Sequence, residues 1–372
     1  MLKGQGRKPM LFERRKIRVL VVDDSALMRK LISKLLERDE EIEVIATAID
    51  GYFALSKVAQ LKPDVVTLDV DMPRMDGITA LSEMVSKHQI PVIMLSSLTT
   101  RGAALTMQAL EKGAVDFICK PKSPAQVGEM ADELLSKVKG AVRSNVVALS
   151  SELPEKAARR RAATQSARQN TGKIVAIGAS SGGPHALRYL LPRLPADFDA
   201  GVVVCQHMPE SFTSMMARWL DDICDLEVRE ARDGDLALPG RVLIAPGNKH
   251  MKVRRVALGC EVILESGPLV NGHRPSVDVL FKSVAEQYSH EATGLIMTGM
   301  GSDGAIGLGE IKRAGGHTIA QDKESCSVYG MPRSALDRGS VEKVLPLTEM
   351  PGYLISAVGR MVDLEESYAG TK

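Results

Sequence analysis

Two α/β units in series, each a doubly wound and mostly parallel sheet, is the fold class the sequence predicts. Three observations carry it. Short β-branched runs alternate with helical stretches in two successive series. Between them, from about Val142 to Lys173, apolar periodicity is lost and Ala, Ser, Gln and Arg dominate. At about 150 residues per domain, a chain of 372 residues makes two or three domains, and only this stretch reads as a linker. The expected boundaries are an extension at 1–15, a first unit at 16–140, a linker at 141–172, a second unit at 173–366 and a tail at 367–372.

Composition narrows the function classes. With 48 Lys+Arg against 46 Asp+Glu, the net charge of +2 offers no global attraction to nucleic acid or an acidic membrane surface. The run Arg159-Arg160-Arg161 reads as a solvated linker face and is assigned no site. Five scattered cysteines (Cys119, Cys205, Cys224, Cys260, Cys326) lack CxxC spacing, which argues against a disulfide framework or a zinc site. The charged N-terminus meets only a short apolar run, Ile17 to Val22, ending in two aspartates. A cytoplasmic protein without membrane insertion is therefore expected.

In the first unit the runs IRVLVV, IEVIATAI, DVVTLDV, PVIMLSS and VDFICKP are the strands of a flavodoxin-like (βα)5 pattern. Ser25 caps the first helix, and Leu27, Met28, Leu31, Ile32, Leu35 and Leu36 form its apolar stripe. Polar residues fall at the carboxyl ends of the strands: Asp23 and Asp24 after the first, Asp69 after the third, Ser96 after the fourth, Lys120 after the fifth. Three carboxylates at one sheet edge repel one another unless a hard cation neutralises them, and oxygen-only ligation suits Mg2+. A carboxylate beside that cation and a lysine can attack a phosphoryl group.

In the second unit the runs IVAIGAS, AGVVVCQH, RVLIAPG, TGLIMTG and HTIAQD read as sheet strands, and MKVRRVALGCEVILES as an antiparallel hairpin. IVAIGAS runs into a Gly-rich turn, and Pro184 opens the following helix. Ser180 thus sits on a strand-to-helix turn, as a nucleophile would, with the Ser181 amide a natural oxyanion donor. Two readings compete, a phosphate or dinucleotide loop and a mere packing turn. Against the first, no P-loop Lys follows, and the next strand ends in Gln206-His207 without a ribose-binding acid; the second stays open because GxSxG alone is a weak signal. His207 is the natural base, because a parallel neighbouring strand would bring it to the same edge; His185, in the first helical turn, points off along the helix, while His250, His273 and His317 remain open by spacing alone. Asp303 follows LIMTG at that edge as the orienting acid, with Asp233, Asp235, Asp278 and Asp322 as rivals.

The motifs VVDDS, TLDVDMPRMDG, PVIMLSS and ICKP resemble the two-component receiver domain. The resemblance implies phosphorylation at Asp69, Mg2+ held by Asp23, Asp24, Asp69 and the backbone of Asp71, and phosphoryl sensing by Ser96 and Lys120, with Phe117 at the aromatic switch position. IGASSGGP, VCQHMP and IMTGMGSDGA resemble, in this order, the catalytic domain of chemotaxis protein-glutamate methylesterases, so that the resemblance covers nearly the whole chain. It implies a triad of Ser180, His207 and Asp303, with the Met300 amide helping Ser181 hold the oxyanion. Ser181, where such loops often have threonine, and the long Arg-rich linker are departures.

The resemblance implies a phosphorylation-activated esterase that restores glutamate on methyl-accepting chemotaxis receptors, releases methanol, and deamidates glutamines as a second expected activity. A chemotaxis histidine kinase would be the phosphodonor. Association with receptor arrays would be peripheral, no nucleic acid partner is expected, and ester hydrolysis itself would need no cofactor. The alternative is a noncatalytic response regulator whose second unit only binds a protein.

Overall fold

The structure, a computed structural model, describes residues 15–121, 123–143 and 171–369. The arginine run of the linker lies outside the described residues. In the first unit β1 (Ile17–Val22), β2 (Ile42–Ala48), β3 (Val65–Asp69), β4 (Val92–Ser96) and β5 (Asp116–Cys119) form one sheet in the order β2-β1-β3-β4-β5. All pairings are parallel, and the central strands are buried on both faces, which explains their unbroken apolar character. The helices α1 (Ala26–Leu36), α2 (Gly51–Leu61), α3 (Gly77–Glu83), α4 (Thr100–Glu111) and α5 (Val127–Arg143) fill the crossovers.

The Ser25 hydroxyl accepts the Met28 amide at the start of α1, as its sequence position predicts. Ile32, Leu35 and Leu36 are buried, but Leu27 is 76% exposed, so the apolar stripe is narrower than the sequence implies. At about 100° per residue, Leu27 falls on the flank of the face that Ile32 and Leu35 turn inward.

The second unit carries β6 (Ile174–Ala179), β7 (Gly201–Gln206), β8 (Glu227–Glu230), β10 (Arg241–Ile244), β13 (Ala292–Ile296), β14 (His317–Gln321) and β15 (Lys343–Leu345). They form a seven-stranded sheet ordered β15-β14-β13-β6-β7-β10-β8, with every pairing parallel. A separate antiparallel sheet, β11-β12-β9, contains the expected hairpin of β11 (His250–Val256) and β12 (Gly259–Glu265), extended by β9 (Leu236–Ala237). The helices are α6 (Gly183–Leu190), α7 (Glu210–Ile223), α8 (Val277–Tyr288), α9 (Ala305–Arg313), α10 (Met331–Asp337) and α11 (Met350–Ala369). From β6 the chain first builds outward through β7, then returns to lay β13 on the opposite side of β6. The carboxyl ends of these strands therefore flank a topological switch point, where open α/β sheets form their crevice.

The two units share one buried apolar cluster. Phe117 of β5 stacks on Phe212 of α7 with ring centroids 4.8 Å apart, and α4 packs along α7. The approach is close in backbone as well: a Cβ added at Gly140 of α5 would lie 2.1 Å from the Ser327 carbonyl oxygen. Among the described residues no helix is long and apolar enough to cross a membrane.

Candidate active site and phospho-acceptor site

Ser180 follows β6 directly, and its turn is built from close backbone contacts. Gly182 has φ of +75°, a left-handed conformation that favours glycine, and it serves as N-cap of α6. A Cβ at Gly183 would fall 1.9 Å from the Gln206 side-chain oxygen, so a larger residue there would displace the Gln206 side chain. The Gln206 amide in turn donates to the carbonyl oxygens of Ser180, at 2.8 Å, and His207, at 3.1 Å, bracing the ends of β6 and β7. The turn is also pinned from β13, because the Ser180 amide donates to Thr298 O at 3.0 Å. A Cβ at Gly299 would lie 2.8 Å from that of Ser180, which places the Gly299-Met300 backbone against the serine.

The parallel pairing of β6 and β7 brings His207 to the edge that carries Ser180, with the His207 amide donating to Ala179 O at 3.0 Å. His207 Nε2 lies 2.8 Å from Asp303 Oδ2. This pairing puts the proton of the neutral ring on Nε2 and leaves Nδ1 as the basic lone pair, buried and without a hydrogen bond. Ser180 shares the edge but makes no hydrogen bond to that nitrogen in the resting structure. The side-by-side serine and imidazole expected from the sequence are thus brought to one crevice without being joined.

Asp303 is not the cap of its own helix, whose N-cap is Gly304. Its carboxylate instead accepts from the Val277 amide at 2.7 Å and the Asp278 amide at 3.2 Å, at the start of α8, and from Ser276 Oγ and Asn271 Nδ2, each at 2.8 Å. Burial opposes the charged form, but His207, Asn271 and the Val277 amide together hold this carboxyl well below the usual range. Near neutral pH it is an anion beside the imidazole.

Of the other residues left open by spacing, Asp278 is buried and bonded to the Gly307 amide and Asn271. His250 bonds Pro268 O, and His317 lies against Glu342. His273 belongs to the site: its ring stacks on His207 with centroids 3.8 Å apart and planes 9° from parallel. Sequence reasoning left it open only as a candidate base and missed Asn271 and Ser276, although the polar turn Asn271-Gly272-His273-Arg274 leading into a Ser-capped helix was a usable signal. His207, His273 and Asp303 lie close enough to share a cation. Parallel rings, however, hold their in-plane lone pairs side by side rather than converging on one ion.

A cavity of about 650 Å3 opens over Ser180 and His207, and receiver-side residues Phe117, Asp132, Glu133 and Lys137 help to line it. Asp116 Oδ2 accepts the Gly182 amide at 2.6 Å. The first unit therefore lies over the serine edge. Met300 and Ser181 line the same cavity.

In the first unit, carboxylate oxygens of Asp23, Asp24 and Asp69 lie within 4.8 Å of one another, a hard all-oxygen set that fits Mg2+. Lys120 Nζ bridges Asp69 at 2.7 Å and Asp23 at 2.8 Å. Burial pushes the Asp69 carboxyl up to about 6 against the pull of Lys120. The Asp71 amide reaches Asp69 Oδ1 at 3.4 Å, while its side chain faces solvent near Arg101. The Ser96 hydroxyl is engaged with α4, 2.7 Å from that of Thr106.

Comparison with known proteins agrees with both halves. Residues 19–132 match the response regulator receiver domain family, and residues 175–354 match the CheB methylesterase family. A protein-glutamate methylesterase/protein-glutamine glutaminase of Koribacter versatilis is 50% identical over 346 residues, 91% of this chain and 95% of that one. A relative of the same description from Sulfurimonas denitrificans is 49% identical over 339 residues, 90% of this chain and 96% of that one. The chain belongs to the protein-glutamate methylesterase/protein-glutamine glutaminase family. Among solved structures, the Thermotoga maritima CheB methylesterase catalytic domain is 42% identical, with a TM-score of 0.49, over 50% of this chain and 98% of that one. With both families matched along one chain, the methylesterase is an enzyme with a receiver domain ahead of its catalytic domain, rather than a noncatalytic regulator.

Proposed function

We propose that Ser180, His207 and Asp303 are the nucleophile, base and orienting acid with which this methylesterase cleaves γ-glutamyl methyl esters on cytoplasmic helices of methyl-accepting chemotaxis receptors. The observation that carries the reading is the buried His207–Asp303 pair, 2.8 Å apart, at the strand edge that bears Ser180 on its glycine turn. Ser180 Oγ attacks the ester carbonyl as its proton passes to His207 Nδ1. The oxyanion is held by the amides of Ser181 and Met300. Collapse expels methoxide, which takes the proton from His207 and leaves as methanol. Water, deprotonated by His207, then cleaves the acyl-enzyme, and glutamate and free Ser180 result. A glutamine side chain follows the same steps with ammonia as leaving group.

Control lies in the receiver. Asp69 is the phospho-acceptor, and a chemotaxis histidine kinase is its donor. Asp23, Asp24, Asp69 and the Asp71 backbone would hold Mg2+, which when bound supplies positive charge to the transferring phosphoryl oxygens. A phosphoryl group, with a charge of about −1.5 to −2, draws Ser96 and Lys120 toward it. Ser96 then leaves its partners on α4, the helix that packs along α7, and Phe117 follows. The receiver in its unphosphorylated position covers the Ser180 edge, and phosphorylation relieves the block.

The test is methanol release from a methylated chemoreceptor fragment, with and without a small-molecule phosphodonor and Mg2+, beside Ser180→Ala. Release that requires Ser180 and rises with phosphodonor supports the reading. No release from folded, phosphorylated protein sinks it.

A further inference from the structure

The stacked pair His207–His273 points beyond the triad. We propose that His273 is a positioning residue for the reaction, a neutral imidazole whose ring face stabilises the His207 imidazolium formed when Ser180 is deprotonated. The inference rests on the reading of His207 as the base.

The ring planes lie 9° from parallel with centroids 3.8 Å apart, so the whole face of His273 covers one face of His207. The other contact to His207 comes at its edge, from Asp303 to Nε2. An imidazolium in this place thus meets a carboxylate in its plane and a π-face above it, two attractions that do not compete for the same atoms. The arrangement also fixes the plane of the base, because the ring cannot swing without breaking the stack.

For the stack to favour a cation, its partner must stay neutral, since two imidazolium rings at this separation repel. His273 is placed for that. Its Nδ1 is buried, away from the water that would solvate a charged ring. Burial first, and the neighbouring His207 second, hold its pKa below the ordinary imidazole value, against the opposing pull of Asp303 and of the Asn271 backbone. The ring is locked in place by its main chain, which exchanges hydrogen bonds with Val270 in both directions at 2.9 and 3.1 Å. The charged and titratable groups around the pair are Asp303 and Asp278 from the catalytic side, Arg274 beside it in sequence, and Asp116, Glu133 and Lys137 across the cavity. Arg274 is tied to Asn248 Oδ1 and Gly267 O, and Lys137 to Asp116 and Glu133. Neither of these cations is paired with His273.

The same short segment, residues 271–277, also supplies Asn271, Ser276 and the Val277 amide to Asp303. One loop therefore sets both the plane of the acid and the face of the base.

The experiment follows the ring resonances of His207 by NMR in full-length protein labelled at histidine, as a function of pH, for the wild type, His273→Ala and His273→Phe. The phenyl ring keeps a π-face and cannot ionise. Expected is a drop of about threefold to thirtyfold in the proton affinity of His207 in His273→Ala, and recovery to within about threefold of wild type in His273→Phe. The acid limb of kcat/KM for methanol release should move to lower pH in the Ala variant and return in the Phe variant. Unchanged His207 titration in His273→Ala overturns the proposal, as does a Phe variant no different from Ala. If the titrations behave as expected but no variant, wild type included, releases methanol, the stack stands and the esterase reading falls instead.

Discussion

The main-chain amide of Gly182, two residues past Ser180, donates to the carboxylate of Asp116 at 2.6 Å. Asp116 stands at the start of a receiver strand and is held from its own side by Lys137 at 3.1 Å and the Phe117 amide at 2.7 Å. A fixed anion thus occupies the N-terminal end of α6, where amides and helix dipole favour negative charge. Asp116→Ala removes a charge-assisted bond across the interface. Basal methanol release without phosphodonor should rise about tenfold, from the typical strength of such bonds. A variant with wild-type basal rate would show that the contact does not restrain the receiver.

The backbones of the two units also approach closely at Gly140. An added Cβ there meets the Ser327 carbonyl oxygen at 2.1 Å, and backbone cannot yield as a flexible side chain can. Alanine is also the better helix former, so Gly140→Ala strengthens α5 while prising it from the catalytic domain. The expected outcome is high basal esterase activity with receiver phosphorylation intact, read by methanol release and by phosphodonor turnover on the same preparation. Retained low activity would place the restraint elsewhere.

The strands were legible because parallel sheets bury both faces, and runs such as VVTLD and GVVVCQ then carry no alternation to confuse. The candidate site was legible because polar residues in such sheets gather at carboxyl ends. Ser180 and His207 directly follow β6 and β7, and Asp303 lies in the loop after β13, the strand on the other side of β6. The support around them was not. Asn271, His273 and Ser276 reach Asp303 and His207 from a loop before a helix, and no period links that loop to the strand ends it serves. The Asp116–Gly182 contact was equally hidden, since a strand-start aspartate looks like any solvated loop acid until the second unit packs upon it. Leu27 shows the opposite error, an apolar residue read as core that the helix turns outward.

Asp69 is the sole proposed route for phosphoryl control. Asp69→Asn should therefore keep the basal rate and lose all stimulation by excess phosphodonor and Mg2+. The Lys120 ammonium, now facing a neutral amide, remains paired with Asp23 at 2.8 Å, so the fold is expected to persist. Full stimulation of the variant would mean that the donor acts at another residue.

Ser180→Ala removes the proposed nucleophile, and the loss in kcat should be on the order of 10⁶-fold if the three residues act as a unit. Asp303→Asn leaves Ser180 and His207 in place but replaces an anion with an amide that can donate to His207 Nε2. That favours the tautomer with its proton on Nδ1, the nitrogen needed as base, and kcat should fall about 10⁴-fold. Single-turnover methanol release on both variants separates these cases. A loss below about tenfold in either would remove that residue from the triad.

Asp303 also ties stability to pH. His207, Asn271 and the Val277 amide hold its carboxyl below the usual range in the folded protein, despite the opposing effect of burial. A carboxyl with a depressed folded pKa releases its proton more readily folded than unfolded. Its contribution to stability is therefore complete above the unfolded value of about 4 and is lost as pH falls from there toward the folded value. Between pH 5 and 7 the Asp303→Asn variant should be less stable than wild type by a constant margin. Below about pH 4 the margin should shrink, because only the wild type loses a contribution. Urea midpoints of the two proteins measured across this range decide the matter. A margin that stays unchanged down to pH 3 would mean that the cradle of amides and His207 stabilises the protonated and ionised forms equally.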